Sequence, residues 1–539
     1  MAEDVTDFVV VGSGPAGAMA AQTLVDSGAS VTMVDVGFDA PEKRMQVPSK
    51  DYLDIRREEK DQYRYLIGES AEGVGWTGTA ETETVTPPRR HITRDVARLV
   101  PVASDSFVPF ESLGYGGLGI GWGLGCWQFS PSELRACGLD AERMRDAYRV
   151  VGQRIGISAA HDDLGEYAVD AGEKYQQPPE MDDMHTLLFK RYERRRATLR
   201  ENGFALGRPA LALLTEDRED RSAYQYHDMD FYADLGRSAW RPWMTVDALR
   251  RGGRLAYRSN VLVTRFSERD DAVSLDYVDA ASGAAGTLRC RRVLIAASAL
   301  GSARIVMRSR APEIDRLPLL CNPYSYIPCI VPSMVGRGPQ SRRVGFAQLA
   351  LIHDPRGDHS DVAMAALYSY QSLMLFRIVR QAPLNFRDAA EILRYFMTGF
   401  VIMGMQFPDH ASAAKYVSLE PCSSSPTGDR LRANWRDDEG AADARLRRRK
   451  HILGFMRKLG AYPVRAIDPG PGTSIHYAGT LPFSEQAQPG GLTPDGRVHG
   501  TRSVYVADSA GFRYLPAKGH TWSIMANAHL TAESALRGV

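Results

Sequence analysis

The residues of this 539-residue chain best suited to chemistry by type and spacing stand near its start. Gly12-Ser13-Gly14-Pro15-Ala16-Gly17 follows the pattern G-x-G-x-x-G, and Asp35 comes about 20 residues later. Such a run binds a pyrophosphate through main-chain amides. Gly12 permits a tight turn, Gly14 lets the main chain approach the phosphates, and Gly17 lets a helix lie close to its strand. Pro15 and Ala16 open that helix. The Asp35 carboxylate suits a ribose 2′-hydroxyl and repels a 2′-phosphate, which favours NAD or FAD over NADP.

Elements of the right kind flank these residues. Phe8–Val11 is a short apolar run of the sort a buried parallel strand needs. A helix over Ala16–Ser27 points its positive N-terminus at the phosphates, and a second strand, Ser30–Val34, ends at Asp35. The stretch Ser112–Ser130 holds seven glycines broken by Tyr115, Trp122 and Trp127. Glycines are costly to order. A run this apolar fits a loop laid against a flat cofactor, or else a cluster of tight turns inside a core. Pro131–Gly156 predicts two short helices. Strands are predicted at Leu255–Arg258, Val261–Arg265, Val273–Val278 and Arg292–Ala296, followed by a helix from Ala297. That return completes the sheet begun at Phe8, so the dinucleotide-binding domain is discontinuous.

Further on, Ile327–Val331, Val344–Ile352, Phe400–Phe407 and Lys415–Leu419 are strand-like, and Asn385–Thr398 has amphipathic helical character. They predict a second lobe with an antiparallel sheet. Tyr395–Phe407 is read as a buried strand in preference to a membrane contact. The basic helix within Asp437–Leu459 is read as a solvated face in preference to a nucleic-acid surface, and Glu69–Pro87 as an exposed loop. Composition agrees with a globular enzyme: 44% apolar residues, 24% charged and a net charge of +1. Nothing there calls for nucleic acid. The six cysteines lack C-x-x-C spacing, so reduced thiols and no metal site are expected. Glu3, Asp4 and Asp7 leave no basic leader, and no apolar run reaches transmembrane length, so a cytoplasmic protein without a transmembrane segment is expected.

The C-terminal part narrows the class. His476-Tyr477-Ala478-Gly479-Thr480, then Gly496–Thr501, Val504–Asp508 and Gly519-His520-Thr521 opening a helix, come in order after the N-terminal fingerprint. Together they resemble the glucose–methanol–choline (GMC) oxidoreductases, flavoenzymes that oxidise alcohols. The resemblance is specific at Phe8–Asp35, Gly114–Gly125, Leu294–Arg304 and His476–Ala532. It implies an α/β fold in which a discontinuous Rossmann-like FAD-binding domain (residues 1–310 with inserted segments, and 469–539 carrying the catalytic residues) joins a second α+β substrate domain built on an antiparallel sheet (311–468).

Carried over position by position, the resemblance makes His476 the base that takes the hydroxyl proton and His520 the second active-site residue. It places Asp508 at the close of the last strand against the cofactor, with Thr521 opening the helix beside it. Val263 falls on the adenine-contacting strand, and Ala297 follows in the same layer. Gly117, Gly121, Trp122 and Gly123 belong to the loop over flavin and pyrophosphate. Some relatives tether FAD through a histidine at the position of Gly121, so non-covalent FAD is expected. His520-Thr521 replaces the common Asn-Pro and resembles the two-histidine subgroup. Leu481-Pro482-Phe483 departs from the usual Arg-Met. His499 and His529 are assigned structural roles.

Residue chemistry agrees with that assignment. Passing hydride from an alcohol carbon to flavin N5 requires loss of the hydroxyl proton, and imidazole is a base near neutral pH. A second imidazole can hold the oxygen and orient the C–H bond. The substrate expected is a small-molecule alcohol, namely a sugar, aminosugar or cyclitol hydroxyl in secondary metabolism, as in aminoglycoside antibiotic biosynthesis. Oxygen or another acceptor takes the electrons. The alternatives are a sterol or other apolar alcohol oxidase and a non-catalytic flavin-binding protein. Trp127, Phe129, Tyr324, Tyr326 and Phe512 are the aromatic candidates for the pocket.

Overall fold

Four consecutive buried residues, Phe8–Val11, form the inner part of β1 (Thr6–Val11), which lies between two parallel neighbours. A strand covered on both faces needs such an unbroken apolar run. After α1 (Pro15–Asp26), β2 (Val31–Val34) pairs in parallel with β1. The remaining strands come from far along the chain. β3 (Ala256–Arg258) lies parallel to β2, and β4 (Val261–Arg269), β5 (Ala272–Asp279) and β6 (Ala285–Ile295) form an antiparallel meander. The last of these returns parallel to β1, giving the order β3-β2-β1-β6-β5-β4. β6 changes character along its length. Ala285–Cys290 pairs with β5, whereas buried Val293–Ile295 runs parallel to β7 (Val504–Val506) on that side. α2 (Ser298–Ser309) leaves the end of β6, and α3 (Thr521–Arg537) packs against α1. In this computed structural model the described residues are 6–39, 50, 52–66, 68, 87–226, 234, 236–269, 272–337, 344–369, 385, 387–388 and 396–538.

A second, antiparallel sheet has the order Tyr462–Pro463, Tyr324–Ile330, Phe400–Gln406, Ala363–Ser369, Leu349–His353, Phe204–Gly207. Ile327, Met403 and Leu367 on one face join Phe455 and Met456 of the helix Ala441–Lys458 in a core of their own. Ala350, Ile352 and Met364 on the other face belong to the main core. Two features differ from the sequence reading. The edge strand Phe204–Gly207 is drawn from upstream of residue 311, out of a polar and aromatic stretch without strand periodicity. Lys415–Pro421 does not join this sheet. It pairs with Asp429–Trp435 and Leu317–Pro318 in a separate four-stranded sheet that also takes Val102–Ala103.

Phe400–Gln406, within the apolar stretch 395–407, is an interior strand, and among the described residues no helix is long and apolar enough to cross a membrane. On the basic helix, Arg445, Arg448 and Arg449 pair with Asp437, Asp361 and Asp468, and Ile452, Phe455 and Met456 face inward. Most of the predicted helix Asn385–Thr398 and of the loop Glu69–Pro87 lies outside the described residues.

The helix Pro131–Cys137 starts with a capping box in which Ser130 Oγ accepts from Glu133 N and Ser130 N donates to Glu133 Oε2. That carboxylate also takes Lys518 Nζ at 2.7 Å, with both side chains essentially inaccessible to solvent. Lys518→Met leaves Glu133 buried without its partner, which is expected to cost about 3–5 kcal/mol. Denaturant unfolding of the two proteins checks this, and an unchanged midpoint contradicts it.

Candidate active site

The first glycine loop is shaped by close approach. Gly12 has φ +100°, and a Cβ there would lie 2.6 Å from Ala296 O. A Cβ on Gly17 would lie 1.9 Å from Gly12 O, so the start of α1 rests directly on the loop. A Cβ on Gly14, in contrast, meets nothing within 4 Å. Gly14 caps α1 without any side-chain hydrogen bond, and Pro15 occupies the first turn. The free amides of that turn therefore open onto the adjoining cavity, the arrangement that receives an anion.

Ser13, an unassigned position within the fingerprint, knits the site together. Its Oγ donates to Asp35 Oδ2 and accepts from Gly116 N at 2.8 Å, while its amide donates to the same carboxylate at 3.1 Å. Burial pushes the Asp35 carboxyl up to about 6, opposed by these bonds and by the amides of Val36 and Gly37. The second glycine stretch passes over the first. A Cβ on Gly117 would lie 3.3 Å from Gly14 Cα, and one on Gly119 would strike Pro242 at 2.4 Å and Pro15 at 2.9 Å. These glycines thus serve packing between loops as well as the cavity wall. Asp508 closes the region after β7. It accepts from Ser302 Oγ at 2.6 Å and Ala510 N at 2.9 Å, and burial raises its carboxyl to about 6.

The two histidines meet although they are far apart in the chain. Their ring centroids are 4.7 Å apart, edge to face at 69°. His476 Nδ1 lies 3.0 Å from Asn322 Oδ1. Burial pushes the His476 imidazolium down to about 4. His520 is held well below the usual imidazole range by burial and by the neighbouring His476, opposed by the main chain of Tyr477. Both rings are neutral at pH 7. His520 caps α3, and its buried Nδ1 has no hydrogen-bond partner. His499 and His529 are engaged elsewhere, with Ser484 O at 3.0 Å and Thr23 Oγ1 at 2.8 Å.

A cavity of about 330 Å³ gathers these parts. Gly12, Gly14, Pro15, Ala16, Asp35, Gly117, Gly121, Trp122, Gly123, Val263, Ala297, His476, Asp508, His520 and Thr521 all line it, and Gly17 stands back against Gly12. Trp127, Phe129 and Phe512 do not line it. They are buried in the main core, where Phe129 and Phe512 stack edge to face and packing between layers removes their large apolar rings from water. Tyr324 and Tyr326 pair with each other on the second sheet, outside the cavity lining. Sequence reasoning missed Ser13, Asn322 and the buried Arg304–Glu111 pair at the cavity wall. Ser13 lay inside the glycine fingerprint and Arg304 at the end of the stretch Leu294–Arg304, whereas Asn322 and Glu111 lay in no recognisable motif.

A family model described as GMC oxidoreductase, for the C-terminal part of that family, matches residues 420–528, a span that contains His476, Asp508 and His520. That part of the chain is similar to the GMC oxidoreductases. The match and the mixed α/β fold support an FAD-dependent alcohol oxidoreductase. A solved structure, pyridoxine 4-oxidase from Mesorbium loti, shares the fold of this chain with a TM-score of 0.55 and 14% sequence identity over 99% of each chain. No curated protein sequence matches it. GMC oxidoreductases generally bind FAD, and the cavity suits that group. The space beside Gly14 and Gly123 is open, the amides of α1 await an anion, and a buried imidazole nitrogen lacks a partner.

Proposed function

We propose that this chain is a GMC oxidoreductase that holds FAD non-covalently and oxidises a hydroxyl of a polar small molecule, a sugar, aminosugar or cyclitol unit of secondary metabolism, with His476 as proton acceptor. The observation that carries the reading is the neutral His476–His520 pair in the wall of the cavity built by the two glycine loops. Gly12, Gly14, Pro15 and Ala16 receive the pyrophosphate at the positive end of α1. Asp35 serves the adenosine ribose, and Val263 and Ala297 the adenine. Gly117, Gly121, Trp122, Gly123, Asp508 and Thr521 surround the rest. Gly121 offers no side chain for a covalent tether. The bound flavin supplies the hydride acceptor.

His476, neutral and shielded from water, accepts the hydroxyl proton as the carbonyl forms. His520 holds the alcohol oxygen and so fixes the direction of the C–H bond.

The reading is tested by anaerobic mixing of the yellow holoenzyme with sugars, aminosugars, cyclitols and sterols. Loss of flavin colour with a sugar-like alcohol is expected. A response to sterols alone overturns the substrate class, and a bound flavin that responds to no alcohol points to a non-catalytic flavin protein. Acid precipitation is expected to release the flavin into the supernatant. The pH dependence has a definite sign. Because burial lowers the His476 pKa to about 4, the proton acceptor is present from neutrality downward and is lost as pH falls through that value. The acid limb of the flavin-reduction rate is expected there, not at the 6.5 of a free imidazole.

A further inference from the structure

The main chain brings Asn322 and His476 face to face. The short strands Leu320–Cys321 and Tyr477–Ala478 are antiparallel, with Leu320 opposite Ala478 and Cys321 opposite Tyr477. The next pair in that register is Asn322 and His476. Directly opposed residues put their side chains on one face, and here they meet at 3.0 Å. The strand bearing Asn322 is held from behind. Asp409 Oδ2 accepts from Cys321 N at 2.9 Å, and Lys415 Nζ holds the other oxygen of that carboxylate at 2.6 Å.

The orientation of the Asn322 amide follows from its other partners. Its Nδ2 donates to Phe407 O at 2.8 Å and to Pro516 O at 3.0 Å. Both are carbonyl oxygens and can only accept, so a flipped amide would set oxygen against oxygen twice. The atom facing His476 is therefore Oδ1, which also only accepts. In a neutral ring, the nitrogen that meets it must carry the proton. Pro516 belongs to the segment leading to His520, so this one amide ties both histidine-bearing segments together.

We infer that Asn322 is a positioning residue that locks neutral His476 in the Nδ1–H tautomer, leaving the Nε2 lone pair as the proton acceptor. The inference rests on the reading of His476 as base, but the tautomer is measurable on its own. Multiple-bond 15N correlation spectra of the flavin-loaded, histidine-labelled enzyme report it, with His476→Gln identifying the signals. The expected result is a protonated, pyrrole-type Nδ1 and an unprotonated, pyridine-type Nε2. In Asn322→Ala the two tautomers are expected to mix, and kcat to fall by at least about tenfold with little change in KM. The spectrum of the unmutated enzyme decides the tautomer even if Asn322→Ala fails to fold. A proton on Nε2 in the unmutated enzyme overturns the inference, as does an unmixed tautomer in folded Asn322→Ala. If the Nδ1–H tautomer is found while His476→Ala oxidises alcohol at the normal rate, the tautomer lock stands and the base reading falls.

Discussion

Replacing His476 by alanine is expected to slow alcohol-dependent flavin reduction by roughly 10²- to 10⁴-fold, the contribution of a positioned general base. The ring is buried, its pKa is depressed to about 4 by that burial, and it lies 4.7 Å from His520 at the cavity wall. Removing it eliminates the proton acceptor and leaves the glycine loops untouched, since its side-chain hydrogen bond is to Asn322. The visible spectrum of the bound flavin is therefore expected to persist while reduction fails. Stopped-flow mixing with the best alcohol of the panel reads both quantities in one experiment. Retention of the full rate sinks the base assignment. Loss of the flavin together with the rate means that His476 serves the fold or the cofactor instead.

The second large effect is expected at Gly14. Its missing side chain faces open space, unlike Gly12 and Gly17, where any Cβ would collide with main-chain oxygen. Gly14→Val should therefore fold, because nothing lies within 4 Å of the new Cβ, yet the side chain occupies the approach to the first turn of α1. Flavin affinity is expected to fall by about a hundredfold or more, some 2.8 kcal/mol at 1.4 kcal/mol per decade. Gly17→Ala is expected to act differently: a Cβ at 1.9 Å from Gly12 O destabilises the protein with or without flavin. Thermal unfolding of the flavin-free proteins, alongside flavin titration by fluorescence, separates the two. Equal flavin affinity in Gly14→Val and the parent refutes the placement of the pyrophosphate.

These contrasts show where the chain could be read directly. The region 8–35 was legible because its signals are local: an apolar run, a glycine spacing, a helix start and an acid all lie within one β–α–β unit. The strands 256–295 were legible for the same reason, through alternation and turns. The strand Phe204–Gly207 was not. Its four residues carry too little periodicity, and it is a strand only because Leu349–His353 offers it an edge. Trp127, Phe129 and Phe512 were misplaced by composition, which counts aromatic rings without saying which side of a sheet they meet.

By itself the sequence determined the first β–α–β unit with its glycine loop, the return of the chain to that sheet and the order of motifs that resembles the GMC oxidoreductases, because each depends on residues adjacent in the chain or on spacing within one turn or strand. The tertiary structure alone decided what those motifs touch. Asn322 reaches His476 across 154 positions through a two-residue strand pair, and Lys518 reaches Glu133 across 385. Ser13 ties Asp35 to the second glycine stretch only because the two loops stack. The physical reason is common to all three. A hydrogen bond between distant residues has no local pattern, and its direction, hence the protonation of an imidazole, is set by the partners that folding brings within reach.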